Sequence, residues 1–389
     1  MVVAGTGTES IVDPKSRGEL HIIYLCPFVW RPLQVNFARR FQRLSERYSG
    51  YIFTTSGARQ RGVAIERFRV YTEPDCGFPM RHLRRLWIQV GLPVLLLWNQ
   101  RHQRNVVVAY DAYVSGFAGV LLKFILGAKL IVEINGDDQN QHTAEHGSIK
   151  RLFMSMLFRL SVTVADAVKV VNSHQEAFMK KNFPRKRMYR YPDFMASEYF
   201  SSLNSTHGDY LLSIGYPFYL KGMDVLICGF QEISHKYPTF KLKIMGFSEA
   251  AELARYKALA QEDPRIEFIK PGWIEDVAEH VRGCYAFVSA SRREAASRVV
   301  FEAMACRKPI ISSRTNSGND YVRDGETGFL FDVGDSKDLA AKLDVLLESH
   351  ERAKEMGEAG FRWLEREFCE EVYINKFLSM IREVACEHS

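Results

Sequence analysis

Residues 289–334 read SASRREAASRVVFEAMACRKPIISSRTNSGNDYVRDGETGFLFDVG. Apolar runs and breakers in this stretch predict a strand ending at Ser289, a loop, a helix over 299–305, a second strand over 309–312, a loop, a short helix and a Gly-bearing turn. Glu294 falls in the loop that leaves the first strand. Ser297 stands where a helix N-cap is expected, just before Arg298. The backbone N–H groups of Ser297, Arg298 and Val299 would then crowd the positive end of that helix, an arrangement suited to phosphate. Glu302, about one turn further, is placed to accept hydrogen bonds from a vicinal diol such as a ribose, and Glu294 from sugar hydroxyls. Plainer readings stand beside these: Glu294 as a solvated loop carboxylate, and Glu302 as a surface residue paired with Arg298 at i, i+4.

Outward from this stretch the same rhythm continues. Upstream, 210–214, 240–245, 266–269 and 285–289 read as strands between helical patterns over 223–236, 249–261 and 277–282, and a further helix covers 338–349. In the first half, strands over 20–26, 51–54, 68–71, 106–109, 129–135 and 167–171 alternate with helices such as 34–48, 112–126 and 149–162. The strands are nearly all apolar, as expected where helices cover both sheet faces. The polar run SSLNSTHG at 201–208 separates the two series. The expected fold is therefore α/β, two Rossmann-like domains facing across a cleft: 1–200, a linker over 201–208, and 209–370. Ligands in such sheets bind beyond the carboxyl ends of the strands. Residues 371–389 include VYINKFLSMIREV, an amphipathic helix expected to pack back on the first domain.

Composition excludes several classes. With 389 residues, 47% of them hydrophobic and 25% charged, the chain reads as a globular protein large enough for two cores. Seven Cys are scattered from Cys26 to Cys386 without a CxxC pair, which argues against a disulfide framework or zinc site and for a reducing compartment. The first residues lack a signal-peptide pattern, and no run approaches the ~18 apolar residues of a membrane span; a cytoplasmic protein is expected. The net charge of +6 hides an asymmetry: residues 1–200 carry +12 and residues 201–389 carry −6. Two domains meeting different partners would account for it.

Glu294 and Glu302, separated by seven residues in this strand–loop–helix and followed by AMACRKP and VRDGETGFLF, resemble the donor-binding region of the retaining GT-B glycosyltransferases of family 4. Further matches are Gly215 followed by Lys221-Gly222, similar to the family's phosphate-binding loop, and Gly246, similar to its glycine turn. PDFMASEYF at 192–200 sits where the family carries its interdomain sequence. The resemblance covers most of 190–350 and implies a nucleotide diphosphate sugar as donor and co-substrate, with no cofactor and no metal. On it, Lys221 neutralises the donor diphosphate, Glu294 holds the transferred sugar, Glu302 the ribose, and Ser297, Arg298 and Val299 offer backbone donors. Gly215, Tyr216 and Gly246 complete the donor site. Lys221, Glu294 and Asn135 are the catalytic candidates. Same-face attack, with the leaving phosphate helping to deprotonate the acceptor, is likewise what the family implies.

The chain departs from the pattern at several places. Tyr216 stands where the family commonly has Arg, leaving Arg292, Arg293 and Arg298 as substitutes for a phosphate cation. Ala295-Ala296-Ser297 replaces Gly-Phe-Gly. Asn135-Gly136 replaces His-Gly; an Asn still hydrogen-bonds a sugar hydroxyl but carries no proton. After the first strand, Trp30 and Arg31 replace a glycine loop and are the acceptor-binding candidates, packing being the other fate of Trp30. Asp137-Asp138 is too small a group to indicate a metal.

Residues 81–104, RHLRRLWIQVGLPVLLLWNQRHQR, join an apolar centre to flanking Arg81, Arg84, Arg85, Arg101 and Arg104. Two readings stand: a peripheral contact with the anionic inner face of a membrane, and a buried Rossmann helix kinked at Pro93. The first implies a lipid-linked saccharide or glycolipid acceptor, and neither involves nucleic acid. Two rivals to a transferase remain, a GT-B nucleotide-sugar epimerase and a catalytically silent nucleotide-sugar-binding subunit.

Overall fold

A computed structural model describes residues 20–26, 35–56, 63–74, 80–101, 103–136, 148–200, 208–246, 250–270 and 274–386. Contacts divide the chain into two units. One comprises the chain up to Val171, Gln175–Phe194 and Tyr373 onward; the other comprises Asn172–His174 and Met195–Val372. The division thus falls between Phe194 and Met195 rather than in the polar run at 201–208, of which 201–207 lie outside the described residues. Met195 and Phe200 are the reason: both are buried in the second unit's core with Phe287 and Met304, and Cys306 Sγ donates to the Phe200 carbonyl at 3.2 Å.

The first unit holds a sheet of β1 (Leu20–Cys26), β2 (Ser49–Ser56), β3 (Val63–Ile65), β4 (Phe68–Pro74), β5 (Arg104–Ala109), β6 (Lys129–Ile134), β7 (Ala167–Val170) and β8 (Arg187–Arg190). Their order is β3-β4-β2-β1-β5-β6-β7-β8, parallel except for the β3–β4 pair. β3 and β8 were not expected from the sequence. Both are short edge strands, and β8 reads RMYR, with too few apolar residues to announce a strand.

Right-handed crossovers decide which helix covers which face. From β1 the chain steps one way to β2; from β4 it steps back across to β5, and then onward to β6 and β7. The helix Val35–Ser45 therefore lies on one face, and Met80–Leu97, Val114–Leu126 and Ser148–Val164 lie on the other. Alternate strand residues follow suit: Ile23, Leu25, Leu130, Val132, Val168 and Val170 share a core with residues of the three helices. Tyr24, Glu133 and Lys169 point to the opposite face, where the helix Glu370–Cys386 also packs, Tyr373 and Phe377 meeting Arg40 of Val35–Ser45. The segment expected to kink at Pro93 stays helical but widens over Trp87–Gly91, where the Leu92 N–H bonds the Trp87 carbonyl. That wide turn accommodates a proline that lacks a donor and crowds the carbonyl one turn back.

The second unit is a sheet of β9 (Tyr210–Ile214), β10 (Lys241–Met245), β11 (Ile266–Ile269), β12 (Ala286–Ser289), β13 (Ile310–Ser313) and β14 (Gly328–Phe331), in the order β11-β10-β9-β12-β13-β14 and all parallel. Residues of β14 were read as part of a Gly-bearing turn. Gly328 instead begins an edge strand, where a Cβ would lie 2.1 Å from the Ile310 carbonyl oxygen. Apolar clusters fill both faces.

Candidate functional site

In the second sheet the chain steps from β9 to β10 and β11 on one side, then crosses back from β11 to β12 on the other side of β9. The loops after β9 and β12 therefore flank the point where strand order reverses, the usual ligand crevice of such sheets. The β9 loop is built on glycine. Gly215 has φ 155°, and a Cβ there would lie 2.8 Å from Lys221 Cγ and 2.9 Å from Cδ and Cε. Its absence lets the lysine stem lie across the loop. Gly246, after β10, backs the same turn: a Cβ would meet the Gly215 oxygen at 2.4 Å. Gly222 has φ 64° and fits against Ala290, at the start of the β12 loop. Thus positioned, Lys221 Nζ donates to Glu294 Oε2 in a largely covered ion pair. The ammonium keeps two further donors and the carboxylate a second oxygen, so the pair can take an anion and a hydroxyl without unfolding the loop. Tyr216 is half exposed beside it.

The helix Arg298–Ala305 begins as the spacing predicts, but its opening turn differs in detail. Ser297 occupies the N-cap position at φ −82°, ψ 100°, yet its hydroxyl caps nothing. Its N–H, expected to face a phosphate, donates to Ser317 Oγ at 2.9 Å. The Ser317 N–H in turn donates to the Glu294 carbonyl at 3.1 Å. This corrects the Ser297 assignment: its amide braces the Glu294 loop, which leaves the N–H groups of Arg298 and Val299 as the candidates for a phosphate. Glu302 is buried (5% exposed), and its Oε1 lies 3.6 Å from Arg298 Nε, the i, i+4 pairing that the sequence left open.

Arg292, one of the replacement phosphate cations that the sequence offers, is already engaged. Its guanidinium forks onto Asp224 at 2.8 and 2.6 Å, donates to the Tyr219 carbonyl at 2.7 Å and stacks 4.4 Å from the Tyr219 ring. Burial pushes the Asp224 carboxyl up, but the Arg292 fork outweighs it and holds its pKa below the ordinary value.

In the first unit, β5 and β6 end at a cavity of about 380 Å³ lined by Tyr110, Asp111, Tyr113, Asn135, Gly136 and Met154. Asp111 Oδ1 accepts from the N–H groups of Tyr113 and Ser115 at 2.8 and 3.2 Å. Burial raises its pKa against those hydrogen bonds. Asn135, half-buried at the cavity wall, is tied into a polar network. Its amide donates to the Tyr110 carbonyl and to Glu133 Oε2, and its oxygen accepts from Lys169 Nζ at 2.7 Å. Lys169 also donates to Asp193 at 2.5 Å, and Glu133 pairs with Arg40 at 3.0 Å. Burial opposes the Glu133 charge, yet Arg40 and Lys169 bring its pKa below the usual carboxylate value. The sequence reading missed this network, although single charges inside the apolar runs KLIVEI and AVKV were its signal. Trp30, Arg31, Asp137 and Asp138 lie outside the described residues.

The Glycosyl transferases group 1 family matches residues 197–363, the stretch that carries the β9 and β12 loops. An uncharacterized glycosyltransferase of Methanocaldococcus jannaschii is 25% identical over 280 residues, 72% of this chain and 74% of the relative. Among solved structures, the sucrose-phosphate synthase of Thermosynechococcus elongatus superposes with a TM-score of 0.78 at 18% identity, over 94% of this chain and 99% of that one. HepE of Anabaena, solved in complex with UDP and glucose, gives 0.69 at 16% identity, over 93% and 99% of the two chains. The fold is thus GT-B, and the stretch that matches the group 1 glycosyltransferase family lies within the second unit.

Proposed function

We propose that the chain is a retaining, metal-independent glycosyltransferase of the family 4 type, moving a hexose from a UDP- or GDP-sugar to a saccharide or lipid-linked saccharide. The Lys221–Glu294 pair, laid over Gly215 inside the stretch that matches the group 1 family, is the observation that supports this best. In this reading the donor displaces the Lys221 ammonium from Glu294 onto the diphosphate. Glu294, released, accepts from hydroxyls of the transferred sugar. Arg298 and Val299 give backbone N–H groups to the phosphates, and Glu302 takes the ribose once Arg298 swings away. Cations and fixed dipoles on the leaving diphosphate stabilise the charge that develops there. The UDP and glucose held by the HepE structure favour a uridine donor. The acceptor is assigned to the first unit, with Trp30 and Arg31 as its contacts and 81–104 as the contact with an anionic membrane on the cytoplasmic side.

Purified protein is expected to release UDP or GDP slowly from its nucleotide sugar, with EDTA making no difference. Glu294→Ala should lower that release by about 100-fold or more while leaving the circular dichroism spectrum intact. EDTA-sensitive turnover would remove the metal-independent part of the reading. The engagement of Asn135 with Lys169, Glu133 and Tyr110 favours one alternative, a silent nucleotide-sugar-binding subunit. Tight donor binding without any nucleotide release would select it.

A further inference from the structure

The first unit carries an apolar face that its own fold leaves uncovered. In the helix Ser148–Val164, Met154, Phe158 and Val162 turn inward to the core, where the helix Val114–Leu126 is its neighbour. On the other side Ile149, Leu152, Phe153 and Met156 are each more than half exposed, and Leu160 continues the row. Their spacing puts them on one stripe, so this helix is apolar on both faces. Exposed Phe124 on Val114–Leu126, and exposed Trp87 and Leu95 on the neighbouring segment, extend the surface along the same side of the sheet. A soluble surface rarely leaves so much contiguous apolar area without a partner.

Charge identifies that partner. Residues 80–104, 114–126 and 148–164 contain nine Lys and Arg and no Asp or Glu. At 100° per residue, Lys150 and Arg159 fall on opposite flanks of the stripe, and both are exposed. A second copy of the same face would bring like charges together. Anionic head groups complement the rim while acyl chains receive the stripe. Among the described residues no helix is long and apolar enough to cross a membrane, so the helix must lie in the interface.

We infer that the helix Ser148–Val164 docks on an anionic lipid surface, inserting Ile149, Leu152, Phe153 and Met156 with Lys150 and Arg159 on the head groups. This rests on the proposed membrane contact of 81–104 and deepens it: the contact becomes a face of several helices, with Ser148–Val164 as a principal anchor. The full chain is tested by flotation with phosphatidylcholine vesicles, with and without phosphatidylglycerol, at low and high salt. Binding should require the anionic lipid and weaken with salt. The combined variant Leu152→Ser, Phe153→Ser, Met156→Ser should bind about tenfold more weakly or worse, with an unchanged melting temperature because these side chains are exposed. A Phe153→Trp probe should shift its emission to the blue on vesicles. Wild-type protein that ignores anionic vesicles at low salt overturns both this inference and the 81–104 contact. Binding that the triple variant retains overturns this inference alone, as does a lipid-indifferent dimer that the variant dissociates. Donor hydrolysis, measured without lipid, tests the enzymatic reading separately.

Discussion

At Gly222, φ is 64° and a Cβ would sit 1.9 Å from the Ala290 carbonyl oxygen, so any side chain must push apart the loops that carry Lys221 and Glu294. Gly222→Ala is therefore expected to cost about 2 kcal/mol or more in urea unfolding and to weaken donor binding further. Glu133 poses the opposite case, a charge held by its neighbours. Its folded pKa lies below the free value because Arg40 and Lys169 outweigh burial. The stability it contributes is fully present above the unfolded carboxyl value near 4.5 and drains away as pH falls through the depressed folded value. Melting curves between neutral and acid pH should show this acid loss in the wild type and less of it in Glu133→Gln. At neutral pH that variant should already be weaker by about 3 kcal/mol, since it leaves the buried Arg40 without its carboxylate while Lys169 keeps Asp193. An unchanged acid limb would remove Glu133 as its source. Lys221, Glu294 and Gly222 were legible as loop positions because all three follow strands at short, local spacing; their roles came from the family resemblance alone. Asn135 was legible as a position but not as a role, because Lys169 reaches it from a strand 34 residues away.

Among the elements, the C-terminal helix Glu370–Cys386 has the clearest energetic task. Phe377 is fully buried, and its ring lies 4.9 Å from the Arg40 guanidinium, while Tyr373 packs edge-on against Tyr191 at 5.4 Å and Phe194 at 5.3 Å. The helix thereby shields the Arg40–Glu133 pair from water. Phe377→Ala is expected to destabilise the first unit by about 3–5 kcal/mol in chemical denaturation, and a loss below 1 kcal/mol would mean the helix is not part of that core. Its amphipathic pattern was readable in VYINKFLSMIREV; that it covers a charged pair was not. The helix Arg298–Ala305 shows the same split, with a start that local pattern predicted and a Ser297 amide that a distant serine had claimed. In Met80–Leu97, Pro93 announced an irregularity, and packing placed it as a wide turn just before the proline.

For the whole molecule, the charge asymmetry takes on a structural address. The basic first half contains the helices that leave an apolar face exposed without a single carboxylate among them. The acidic second half binds an anion, in the proposed reading, through local N–H groups and Lys221 rather than through net charge. A nucleotide sugar at 100 times its Kd should stabilise the chain by about 2.7 kcal/mol. In a thermal-shift screen UDP- or GDP-sugars should raise the melting temperature, and Lys221→Ala should abolish the rise; indifference to every nucleotide sugar would undo the donor assignment. By itself the sequence determined the alternation of strands and helices, the loops that follow β9 and β12, and the glycines and charged residues those loops carry. Such features depend on spacing within a few turns of chain, which composition and periodicity encode directly. Only the tertiary structure decided that Arg292 belongs to Asp224, that Glu133 and Lys169 face each other across β6 and β7, and that one side of Ser148–Val164 stays outside the core. Those outcomes depend on strand register and crossover hand, which join residues far apart in the chain and leave no local periodic trace.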